Sequence, residues 1–160
     1  FIEPGDEVIV PFPSFVCYGP LAALCGAKVV PIHMRSEDQF KLTPELLKNA
    51  ITEKTKLLVL PFPNNPTGAI MEREDLEAIA TVLRDTKILV ISDEIYGELN
   101  YTDTRHVSIT ELRNACVCRI FCPAFFQSLY GGVSDMPGRR KVRFSDTERY
   151  YMIHRCCNIE

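Results

Sequence analysis

Between residue 5 and about residue 110, short apolar runs alternate with longer amphipathic segments, and this alternation limits the chain to very few folds. Residues 8–10 read as a first strand, closed by Pro11 and Pro13, and residues 28–32, 56–60 and 88–91 as three more. The last is apolar on both faces, as a strand buried inside a parallel sheet must be. Between the strands, residues 15–25 read as a helix ending at Gly26. A second helix follows Thr43, which can accept from first-turn amides, with Pro44 at the first helical position and Leu46, Leu47 and Ile51 at helical spacing. A third spans residues 72–84, with Leu76, Ile79, Ala80 and Leu83 on one stripe and acidic residues in its first turn. Strands separated by helices favour right-handed parallel crossovers, so the expected class is α/β: three layers, with a mostly parallel sheet flanked by helices.

Composition narrows the functional classes. The chain has 160 residues, 46% of them hydrophobic and 24% charged, which is enough for one globular domain with a real core. A net charge of -3 gives no basic surface for nucleic acid and leaves small polar ligands open as partners. No apolar run has the length of a bilayer span, and the opening Phe1-Ile2-Glu3-Pro4-Gly5-Asp6 lacks the pattern of a signal peptide, so a cytoplasmic location is expected. That opening also enters a strand directly from a turn, as expected of a chain without its natural start. Seven cysteines and no secretory signal argue against a disulfide framework, and the irregular spacing of Cys116, Cys118 and Cys122 reads as reduced thiols rather than a metal site. Beyond about Arg113 the strand-helix alternation ends. Residues 1–112 therefore read as one partial domain and 113–160 as an atypical tail, whose basic cluster (Arg139, Arg140, Lys141, Arg143) reads as a solvated surface.

In open α/β sheets ligands bind beyond the carboxyl ends of the strands, so the residues that follow each strand are the ones to inspect. Three places stand out: Pro11-Phe12-Pro13-Ser14-Phe15, Asn64-Asn65-Pro66-Thr67-Gly68 and Ser92-Asp93-Glu94-Ile95-Tyr96. Each has an ordinary structural reading when taken singly. Asn-Asn-Pro-Thr-Gly is a good turn, Asp93 a good helix N-cap, Phe15 ordinary core and Tyr96 a surface helix residue. Their joint arrival at three strand ends favours a site.

The stretch from Pro4-Gly5-Asp6-Glu7-Val8 through Asn64-Asn65-Pro66-Thr67-Gly68-Ala69 to Ser92-Asp93-Glu94-Ile95-Tyr96 resembles the class I/II aminotransferases of the aspartate aminotransferase type, which are fold type I enzymes dependent on pyridoxal 5'-phosphate. The likeness covers about residues 2 to 112. It implies that Asp93 faces the pyridine nitrogen of the cofactor and keeps it protonated, because an opposite charge at hydrogen-bond distance favours the cationic ring. It also implies that Tyr96 and Asn65 donate to the phenolic oxygen of the ring and that Phe15 stacks on its face. Pro66 restrains Asn65 to an extended conformation, and Tyr96 shares a face with Asp93 if Asp93 opens a helical turn. The implied activity is amino-group transfer between an amino acid and a 2-oxo acid, in a homodimer. A carbon-sulfur lyase of the same fold type would share Asp93, Tyr96 and Asn65, and a non-catalytic sensor domain is a further alternative.

The same resemblance exposes what is missing. The family's reaction needs a lysine that holds the cofactor covalently and moves the proton on the substrate carbon, set in a Ser-Lys motif downstream of the aspartate. Here the corresponding run is Phe125-Phe126-Gln127-Ser128-Leu129-Tyr130-Gly131-Gly132, and no lysine lies between Lys87 and Lys141. The chain alone is therefore expected to be inactive. Codons for Phe125 to Gly131 read one nucleotide later can spell Phe-Ser-Lys-Ala-Phe-Met, and those for Gly131 to Gly138 read two later can spell Trp-Arg-Ile-Gly-Tyr-Ala-Gly. Both strings resemble the absent motifs, in order, which points to slipped reading frames, or a decayed gene or gene model, over the last third. The family's phosphate-binding loop and its arginine for the substrate carboxylate fall outside the chain, so substrate identity is not readable from it.

Overall fold

The computed structural model describes residues 2–99, 101 and 105–112 in full and residues 116–120 by their backbone. The run 125–132, the basic cluster 139–143 and the side chains of Cys116, Cys118 and Cys122 lie outside the described residues. In chain order the elements are β1 (Glu7–Phe12), α1 (Tyr18–Leu24), β2 (Lys28–His33), α2 (Pro44–Ala50), β3 (Thr55–Pro61), α3 (Arg73–Leu83), β4 (Leu89–Asp93) and β5 (Cys116–Ile120). The strands form one sheet in the order β2-β1-β3-β4-β5, and every neighbouring pair is parallel. From β1 the chain moves outward to β2, then crosses back to β3 on the other side. The strand order thus reverses between β1 and β3, where the carboxyl ends of the strands open a crevice.

Period-2 alternation sends the apolar residues of each strand to two separate cores. Ile9, Leu58, Leu60 and Val90 face α2 and α3, burying against Leu47, Leu76, Ile79 and Leu83. Val8, Val10, Leu57 and Val59 face the other way, against Tyr18 and Ala22 of α1. Helices therefore cover both faces of a parallel sheet, as the sequence pattern required. The expected stripe of α3 is buried in full, and the expected cap of α2 forms, with Thr43 Oγ1 accepting from Leu46 N at 3.3 Å. No helix among the described residues is long and apolar enough to cross a membrane.

The structure differs from the sequence reading in three elements. β1 does not stop at Pro11 but runs through it to Phe12. The Asp6 and Phe12 carbonyls accept from Lys28 and Met34 on the β2 side, while the Glu7 amide donates to the Lys54 carbonyl on the β3 side. Odd-numbered positions therefore face β3, and pairing with β3 ends at Ile9↔Leu58, so the missing amide of Pro11 breaks no ladder bond. α1 begins at Tyr18, not Phe15. A helix from Phe15 would need Pro20 to donate to residue 16, whereas from Tyr18 the proline falls in the first turn, whose amides have no intrahelical partner. The helix ends as expected at Gly26, which adopts φ +80. Finally, β5 lies beyond the residue where strand-helix alternation was expected to end. Arg119 interrupts the apolar run Ala115-Cys116-Val117-Cys118, in which cysteines stand where the other strands carry branched side chains, and the edge of β4 supplies the backbone pairing that β5 needs.

At the start of β1, buried Glu7 accepts from Lys28 Nζ at 2.9 Å and Thr52 Oγ1 at 2.6 Å. The bonds from Thr52 and Lys28 hold its carboxyl below the ordinary carboxylate range. A depressed folded-state value means that this stabilisation is present above the ordinary range and is lost as pH falls through the folded value. Urea unfolding midpoints measured from neutral to acid pH should therefore fall less steeply in Glu7→Gln than in the parent chain. Parallel acid limbs would remove Glu7 from this role.

Candidate functional site

Alternation along β4 decides where its terminal residues point. Asp93 shares a face with Leu89 and Ile91, the face that α1 covers, whereas Ser92 lies on the face of Val90. Asp93 thus arrives at the sheet rim beside Tyr18, whose hydroxyl donates to Asp93 Oδ2 at 2.7 Å. The Ile95 amide donates to Asp93 Oδ1 at 3.2 Å, so both carboxylate oxygens are held. Burial, and then the Asp93 carboxylate, raise the Tyr18 phenol far above its ordinary value, and the hydroxyl keeps its proton as a permanent donor. Burial likewise raises the neighbouring Cys17 thiol, which disfavours the thiolate and any nucleophilic role.

The Asn64–Gly68 segment is both a turn and a site element. Asn64 N donates to the Ala69 carbonyl at 2.9 Å and Gly68 N to the Asn64 carbonyl at 2.8 Å. Asn64 Oδ1 accepts from Thr67 N and Thr67 Oγ1 at 3.3 and 2.9 Å. Gly68 adopts φ +71, a conformation that a side chain at this position would strain. This self-bonded loop presents Asn65 at its tip, where Asn65 Nδ2 donates to the Tyr96 hydroxyl at 3.3 Å. Because that hydroxyl accepts from Asn65, its own proton is free to be donated onward.

The four residues singled out from the sequence, Phe15, Asn65, Asp93 and Tyr96, line one cavity of about 340 Å³ together with Tyr18 and Ile95. The cavity opens at the crevice beyond β1, β3 and β4, so each motif reaches it from a different strand end. Phe15 is half exposed, with its ring edge-on to Tyr18 at a centroid separation of 6.1 Å. Asp93 does not open a helical turn: it is the last residue of β4, and residues 95–98 form a non-helical turn that still brings Tyr96 to the cavity. Chemically, the cavity sets a carboxylate, restrained on both oxygens, against an amide and phenol donor pair. A ring with a protonatable nitrogen and a phenolic oxygen fits this donor and acceptor pattern.

Sequence reading missed Tyr18 and the buried group around Glu94. Tyr18 sits three residues after Phe15 in the same strand-end segment, and that proximity is the only signal of it in the sequence; its partner lies 75 residues away. Glu94 is 1% exposed, accepts from Ser92 and Ser108 and lies 3.1 Å from His106 Nε2 on the face opposite Asp93.

A doubly wound α/β domain with a cavity at the switch point is the class these observations define. The sequence profile of the family "Aminotransferase class I and II" matches residues 1–126, and the chain belongs to that family. It is 47% identical over 117 residues to a probable N-acetyl-LL-diaminopimelate aminotransferase of Bacillus subtilis, covering 72% of this chain and 29% of that protein. It is 42% identical over 112 residues to an aspartate aminotransferase of Pyrococcus abyssi, covering 70% of this chain and 29% of that protein. Among solved structures, an aromatic aminotransferase from Pyrococcus horikoshii superposes with a TM-score of 0.72 at 39% identity, over 76% of this chain and 33% of that one. Aspartate aminotransferase from Thermus thermophilus with maleate gives 0.74 at 36% identity, over 81% and 34%. The chain thus spans about a third of the relatives it matches.

The bond between Tyr18 and Asp93 joins a phenol to a charged group. Tyr18→Phe, which keeps the ring and removes only the donor, should cost about 1.5–3 kcal/mol of unfolding free energy in urea titrations. A change of less than about 0.5 kcal/mol, the range of an ordinary surface substitution, would contradict the arrangement.

Proposed function

We propose that this chain is part of the cofactor-binding domain of a pyridoxal 5'-phosphate-dependent aminotransferase and that it does not catalyse transfer by itself. The observation that carries this reading is the convergence of Asp93, Asn65, Tyr96 and Phe15 on one cavity from three strand ends. When bound, the cofactor supplies an electron sink for the carbanion formed at the substrate carbon, and the sink is deepest when its ring nitrogen is protonated. Asp93 would hold that proton by charge, with its carboxylate oriented by Tyr18 and the Ile95 amide. Asn65 and Tyr96, which are bonded to each other at the cavity, would hold the phenolic oxygen of the ring, and Phe15 would cover one of its faces. The whole protein would act in the cytoplasm as a homodimer, on an amino acid and a 2-oxo acid. The relatives named above are themselves called aminotransferases, which favours transfer over elimination.

Inactivity of this chain follows from its own sequence: no lysine lies between Lys87 and Lys141 to hold the cofactor covalently or to move the substrate proton. We attribute the loss to slipped reading frames across residues 125–138, and sequencing the locus tests this directly. An uninterrupted frame whose codons cannot encode Ser-Lys in any register would end the explanation.

Two binding measurements test the function. Incubation with pyridoxal 5'-phosphate followed by borohydride and peptide mapping should label no single lysine, and stoichiometric labelling of one lysine would overturn the claim of inactivity. Pyridoxine 5'-phosphate, which cannot attach covalently, should bind the parent chain, and Asp93→Asn should bind it at least about tenfold more weakly, the loss expected for one charge-assisted hydrogen bond. Equal affinities would remove Asp93 from the site.

A further inference from the structure

We propose that Glu94 and His106 are positioning residues that set the place of the Tyr96 hydroxyl, through a buried carboxylate latch on the side of β4 opposite the cofactor cavity. The proposal deepens the functional reading above, because Tyr96 matters as a donor only if that cavity takes a ring with a phenolic oxygen.

Asp93 and Glu94 are consecutive carboxylates that diverge. Asp93 turns to the cavity on the α1 side, while Glu94 accepts from Ser92 Oγ at 2.8 Å on the opposite side. Glu94 is 1% exposed, and a carboxyl group removed so completely from water is tolerated only where several hydrogen-bonding partners surround it. Those partners come partly from the segment 105–112, which returns beneath the end of β4. Ser108 Oγ donates to Glu94 Oε1 at 2.6 Å, and His106 Nε2 lies 3.1 Å from Glu94 Oε2. The segment is itself anchored by Ile109, which is 1% exposed in the core against α3. The need to solvate Glu94 with protein groups therefore ties two chain segments together.

Tyr96 lies inside this tie. The turn that carries it starts at Glu94, whose carbonyl accepts from Gly97 N at 2.9 Å, and the Tyr96 carbonyl accepts from Leu99 N at 2.8 Å. Gly97 closes the arrangement. A Cβ there would stand 3.0 Å from His106 Cδ2, 3.3 Å from His106 Nε2 and 3.2 Å from the Glu94 carbonyl. The His106 ring thus packs directly on the backbone next to Tyr96, and a side chain at residue 97 would press on it and make it shift by a few tenths of an ångström. Moving the ring would release the turn, and with it the 3.3 Å contact between Tyr96 and Asn65.

The test uses the chain labelled with 3-fluorotyrosine, with the Tyr96 fluorine signal assigned by its loss in Tyr96→Phe and, as the internal control, the Tyr18 signal, from a ring in the same cavity that is held by α1 and Asp93 rather than by the latch. His106→Ala and Gly97→Ala should each shift and broaden the Tyr96 signal and leave the Tyr18 signal in place. His106→Gln, which keeps a side-chain donor, should restore most of the parent spectrum. Gly97→Ala retains every hydrogen-bonding group of the latch, so it reads the packing even if loss of the Glu94 bonds prevents folding. A Tyr96 signal that keeps the parent position in folded His106→Ala and Gly97→Ala would overturn the proposal. Pyridoxine 5'-phosphate is then added to the parent chain. A latch that responds to both substitutions while the Tyr96 signal ignores this ligand would sink the cofactor reading alone and leave the positioning role standing.

Discussion

A carboxylate at the rim of a parallel sheet, gripped on both oxygens, is the feature on which the rest of this site depends. Asp93 has a use only if it stays ionised and pointed into the cavity. The Tyr18 phenol and the Ile95 amide hold both of its oxygens at the cavity without placing a positive charge beside it. The phenol reaches Asp93 because α1 starts at Tyr18, and α1 starts there because Pro20 cannot donate in a longer helix. A local rule of backbone chemistry thus fixes the electrostatics of the site from the far end of the described chain.

The sheet supplies the remaining geometry. Reversal of strand order between β1 and β3 leaves a crevice that no crossover helix fills, and the residues leaving β1, β3 and β4 meet there. Period-2 alternation then sorts the two consecutive acids at the end of β4 by face, one to the cavity and one to the interior. Separation by the backbone sends neighbouring carboxyl groups to different partners: Asp93 meets Tyr18 and the Ile95 amide at the cavity, and Glu94 meets Ser108 and His106 of segment 105–112.

Most of the fold was legible in the sequence because it rests on periodicity and on local chemistry. The α3 stripe, the Thr43 cap of α2, the Gly26 stop and the alternation of strands with helices are all short-range signals. The four cavity residues were legible for a different reason: they follow strand ends in an order that matches a known family, and the structure brings all four together. What escaped was long-range or context-dependent. Pro11 reads as a strand stop until pairing shows that its amide faces no partner. Tyr18 and His106 gain their roles from partners distant in the chain, and no spacing rule announces such a contact. β5 escaped because a strand on an open edge can form from a sequence with little pattern of its own.

The central claim is that Asp93 faces a protonated heterocycle, and the protonation state of a bound ring nitrogen tests it most directly. Pyridoxine 5'-phosphate labelled with nitrogen-15 at the ring can be followed by NMR as pH is raised through the range where the free ligand loses that proton. In complex with this chain the nitrogen should keep the pyridinium chemical shift to higher pH than it does free in solution, and Asp93→Asn should abolish the difference. A bound nitrogen that titrates like the free ligand in the parent chain would contradict the account.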